Sequence, residues 1–90
     1  MHNPLTITII RMTLKRHPAR IFTHHAARAA LRDVDMLCRK ATDAAERDQG
    51  DDEQRYRDAA MRLLGRVRGY IDRGASSPWS GFEHLRNLAV

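Results

Sequence analysis

The chain has 90 residues, one cysteine and a net charge of +5 from 14 Arg, 2 Lys and 11 acidic residues. That length admits one small domain with a modest core, and a single cysteine, Cys38, excludes an internal disulfide framework. The apolar run from Leu5 to Leu14 is too short to span a bilayer and contains Arg11, so a cytoplasmic protein without membrane segments is expected, stabilised by a second copy or a larger partner.

Charge is unevenly placed. Residues 1–32 carry Arg11, Lys15, Arg16, Arg20, Arg28 and Arg32 and no acidic residue, whereas residues 33–90 carry ten basic and eleven acidic residues. The whole excess belongs to the N-terminal third. Arginine and alanine richness also matches GC-rich coding, which fits a bacterial or bacteriophage origin and offers a second explanation of the bias.

In chain order, residues 1–22 form a basic arm. Leu5, Ile7 and Ile9 alternate with Thr6 and Thr8, and the β-branched content favours an extended segment. A short helix entered through Asn3 and Pro4 is the competing reading. His17 precedes Pro18, which biases it away from helix and predicts a break there. Ile21 and Phe22 fall off the apolar face of the next element and are expected to pack from a separate segment.

Residues 24–48 are predicted helical, with Thr23 as N-cap. Ala27, Ala30, Leu31, Val34, Leu37, Cys38, Ala41, Ala44 and Ala45 share one face, and their small size allows a close neighbour. Met36 lies opposite that face. The polar stretch Asp48-Gln49-Gly50-Asp51 suits a tight connection. A stronger helix follows over 52–73, with Tyr56, Ala59, Ala60, Leu63, Leu64, Val67, Tyr70 and Ile71 at spacings of three and four. Asp51 with Gln54 offers a capping box and Gly74 a left-handed stop. The two helices should form an antiparallel hairpin, small side chains facing large ones. Beyond a loop at 75–79, Ser80 and Glu83 suggest a short helix over 80–89 carrying Phe82, Leu85 and Leu88. The expected fold is therefore mainly α: an antiparallel hairpin, a short C-terminal helix and a basic N-terminal arm, all within a single domain.

No catalytic or metal constellation emerges, and no cofactor is expected. His24 and His25 are adjacent, pointing about 100° apart on a helix, and no His-x-x-x-His or cysteine pair is present. The histidines read as solvated surface. Cys38 reads as a core residue of its helix. Asp33 and Asp35 diverge on a helix and make no acid–base pair. No glycine-rich phosphate loop occurs.

Three candidate contact surfaces remain. The arm and its continuation (Arg11, Lys15, Arg16, Arg20, Phe22, Arg28 and Arg32) can meet an acidic protein surface or a phosphate backbone; solvated charge is the plain alternative. Gly65 and Gly69 lie opposite the apolar stripe and can admit a partner backbone, or are simply tolerated at about 1 kcal/mol each. Trp79 and Phe82 can anchor a partner or close the end of the hairpin. These features predict a non-enzymatic regulator or inhibitor that occupies a surface on a larger protein. A nucleic-acid-binding protein is the alternative, and a homo-oligomeric structural protein the third reading.

Overall fold

The computed structural model describes residues 4–18 and 23–74. Over these the chain forms three helices: α1 (Pro4–Arg16), α2 (His24–Glu46) and α3 (Gly50–Gly74). The helix expected over 80–89 lies outside the described residues, as do Arg20, Ile21 and Phe22.

The extended reading of the arm is overturned. Residues 4–16 are helical, and Pro4 occupies the first helical position, where its fixed φ and missing N–H cost nothing. The reason lies in tertiary contact. Thr6, Ile10, Thr13 and His17 recur at spacings of four, three and four and face the hairpin; Thr6, Thr13 and His17 are buried, and Ile9, Ile10 and Leu14 pack partly against the core. A face matched to its neighbour outweighs β-propensity, which is a weak and context-dependent preference. Two threonine hydroxyls satisfy themselves within the helix: Thr8 Oγ1 donates to the Pro4 carbonyl at 3.1 Å and Thr13 Oγ1 to the Ile9 carbonyl at 2.8 Å. The helix stops at Arg16, as the His17-Pro18 pair predicts.

Thr23 caps α2. Its backbone is extended and its hydroxyl accepts from the Ala26 amide at 3.1 Å. The far end of α2 closes two residues earlier than the sequence pattern suggests. The Gln49 amide returns to the Ala44 carbonyl at 2.9 Å and the Asp48 amide to the Ala45 carbonyl at 3.2 Å, with Asp48 at φ 59°. This is a Schellman closure with aspartate where glycine is usual. Gln49 then opens α3, its carbonyl accepting from Glu53 at 3.0 Å. Asp51 therefore sits inside the first turn rather than capping it, and Gln54 donates to Asp58 at 2.8 Å instead of reaching back. Asp51, Asp52 and Glu53 still favour the positive end of the helix dipole. Gly74 is the last helical residue instead of a stop beyond the helix.

The core belongs to the hairpin. Ala27, Ala30, Leu37, Ala41 and Ala44 of α2 are buried against Tyr56, Ala59, Ala60, Leu63, Val67 and Ile71 of α3. Alanine on one helix lets the larger side chains of the other fill the gap, the small-to-large match that close packing requires. Two expected members are corrected. Cys38 is exposed and Ala45 is exposed, because the covered strip keeps the heptad-like seam of Ala27, Ala30, Leu37, Ala41 and Ala44 and each of the two lies one residue, about 100°, beyond it. Met36, expected opposite the core, is partly buried against it.

Candidate interaction surface

α1 lies mainly against α3, and a small polar network fixes it. His17 Nε2 and Asp33 Oδ2 are 2.6 Å apart, joining the end of α1 to α2. His17 is 5% exposed, so the solvated reading of this histidine is corrected. The Arg66 guanidinium donates to the Leu14 carbonyl at 3.0 Å and to the His17 carbonyl, satisfying groups that a helix end leaves without partners. At the other end, the Tyr56 hydroxyl donates to Thr6 Oγ1 across 3.4 Å. Further along, the Tyr70 hydroxyl and His24 Nδ1 share a hydrogen bond, and their rings meet edge-on at 5.4 Å. Burial pushes the Tyr70 phenol above its ordinary value.

With α1 docked, its outer side carries Leu5 at 61% and Met12 at 59% exposure, together with exposed Arg11, Lys15 and Arg16. Leu5 and Met12 are seven residues apart, only about 20° from perfect alignment on a helix, and Arg16 follows one turn later. The face thus grades from apolar at the start of α1 to cationic at its end. Arg16 reaches Asp33 at 3.5 Å while remaining 61% exposed. Arg28 and Arg32 are exposed on α2.

Ion pairing divides these cations from the others. Arg39, Arg47 and Arg57 pair with Asp35, Asp43 and Glu53 at 3.0, 3.3 and 3.3 Å, each one turn away on its own helix. Arg11, Lys15, Arg28 and Arg32 make no ion pair among the described residues. Asp33 turns to α1 and Asp35 to Arg39, so the two aspartates diverge as their spacing predicts. An open groove of about 430 Å³ runs along α2, lined by Arg32, Asp35, Met36, Arg39, Lys40 and Asp43.

On α3, Gly65 is exposed and a Cβ there would meet nothing within 4 Å; at Gly69 it would meet Arg73 Nη1 at 3.5 Å. Met61, on the same helix, is 64% exposed. Trp79 and Phe82 lie outside the described residues. Sequence reading missed the network of His17, Asp33, Arg66, Tyr56 and Thr6. Its only trace is that Arg66 sits beside the apolar stripe between Leu63 and Val67; the other partners are too far apart in the chain to leave a periodic signal.

Among the described residues, no group of three or more His, Cys, Asp or Glu side chains is placed to hold a metal ion, and no helix is long and apolar enough to cross a membrane. No family model, curated protein or solved structure matches the chain.

Proposed function

We propose that this chain is a non-enzymatic binding protein that acts as a regulator or inhibitor by occupying an acidic, partly apolar surface on a larger protein. The observation that carries the reading is the exposed side of α1, where Leu5 and Met12 stand in line with Arg16 and share that side with Arg11 and Lys15, which make no ion pair among the described residues. Cations without internal partners speed and orient encounter with an anionic surface. Exposed leucine and methionine add affinity only where the partner offers apolar area to bury. Binding there would mask or distort the partner's working surface.

A nucleic-acid interface is the second reading, favoured by the same cations together with Lys40 in the α2 groove. Phosphate gains nothing from Leu5 and Met12, which is why protein is placed first. Self-association into a homo-oligomer remains a third proposal, with the same faces turned towards another copy.

The test compares the intact chain with Leu5→Ala/Met12→Ala and Arg11→Glu/Lys15→Glu variants. Each is titrated by fluorescence anisotropy against duplex and single-stranded DNA and RNA at low and physiological salt, and used for affinity capture. The proposal expects one saturable protein complex weakened by both double variants, with nucleic-acid binding lost as salt rises. Nucleic-acid binding that survives physiological salt, disappears in the Arg11/Lys15 variant and ignores the Leu5/Met12 variant overturns it.

A further inference from the structure

We infer that α1 is a displaceable strap, helical only while docked and released from the α2–α3 hairpin as a unit. First, every buried apolar core side chain among the described residues lies on α2 or α3, whereas the buried positions of α1 and the residue that follows it are Thr6, Thr13 and His17. The buried apolar core is supplied by α2 and α3, and α1 adds only the partly buried Ile9, Ile10 and Leu14. Second, α1 is a poor helix by composition. Thr6, Ile7, Thr8, Ile9, Ile10 and Thr13 are β-branched, within a helix of 13 residues. Such side chains lose χ1 freedom in a helix, and an isolated helix of this length is marginal even in favourable sequences. Third, a polar latch holds its last turn. His17–Asp33 and the two Arg66 bonds hold the last turn, while the first turn has the long Tyr56–Thr6 contact.

Opening completes when the His17–Asp33–Arg66 latch breaks. The freed segment relaxes to the extended form that its alternation prefers, with Leu5, Ile7 and Ile9 on one side and Thr6, Thr8 and Ile10 on the other. Leu5 and Met12, aligned on the helix, then fall on opposite sides of the chain, so release dismantles the outer face of α1.

Native-state hydrogen exchange on the full chain tests it, comparing the wild type with Arg66→Ala and the milder Asp33→Asn. In the wild type, amides in the second half of α1 should exchange measurably but at least tenfold faster than those around Leu37 and Leu63, as a sub-global opening requires. Each variant should speed α1 exchange further, by about tenfold for the loss of charge-assisted bonds, and speed the α2 and α3 core amides by no more than that factor, because the same bonds are lost in the sub-global and the global opening. Should Arg66→Ala fail to fold, Asp33→Asn carries the test alone. Protection of α1 equal to the core, no protection of α1 at all, or variants that speed the core amides more than those of α1 would each overturn the strap. Fast α1 exchange that neither variant alters would overturn the latch.

Discussion

His17 Nε2 and Asp33 Oδ2 meet at 2.6 Å although they stand sixteen positions apart, and this contact ties the end of the N-terminal helix to the flank of α2. Both side chains are largely covered, at 5% and 17% exposure, so the aspartate is screened from water that would otherwise weaken the bond. Replacing Asp33 by Ala should cost about 2 kcal/mol, the range for a hydrogen bond to a charged group. Urea unfolding followed by circular dichroism measures it. A change below a few tenths would mean that the contact is incidental.

Gly65 points into open space. Gly65→Ala should therefore raise stability by about 0.5–1 kcal/mol, because alanine loses less backbone entropy on helix formation. Thermal unfolding reads the gain as a rise of a few degrees. Were the same variant to lose affinity for a captured partner, the glycine would be explained by close approach of that partner.

Asp48 carries the left-handed turn between α2 and α3 at φ 59°. Glycine tolerates that conformation without the Cβ clash. Asp48→Gly should stabilise the chain by about 0.5 kcal/mol, the relief of strain being partly offset by the freer unfolded chain. Chemical denaturation midpoints decide the sign, and destabilisation would show that the aspartate side chain contributes more than its backbone strain costs.

Tyr70 has its phenol raised by burial. The folded state then holds the proton more tightly than the unfolded state, so the contribution to stability is full below about pH 10. It is lost as the pH climbs through the raised value. The difference in unfolding free energy between wild type and Tyr70→Phe, followed from pH 8 to 11, isolates this component from other alkaline titrations. A difference independent of pH would remove the linkage.

Much of the hairpin was legible from spacing alone. Tyr56, Ala59, Ala60, Leu63, Val67 and Ile71 are all buried as their three-and-four periodicity predicts, and Thr23 caps α2. Periodicity speaks of which face is covered but not of how wide the covered strip is, so it groups Cys38 and Ala45 with the buried alanines although both are exposed. The cations of the candidate surface were visible as an asymmetry of composition. Which of them lack ion pairs is set by the tertiary structure, in which Arg39, Arg47 and Arg57 engage acids one turn away.

By itself, then, the sequence determined the α2–α3 hairpin, its polar connection and the basic bias of the first third, because these rest on interactions between residues three or four apart. Only the tertiary structure decided that residues 4–16 are helical and that Thr6, Thr13 and His17 face inward while Leu5 and Met12 face outward. Local preference pulled that segment towards an extended form. Contacts with Asp33, Tyr56 and Arg66, each distant in the chain, reversed it, since a weak backbone preference yields to a docked face whose buried polar groups find partners.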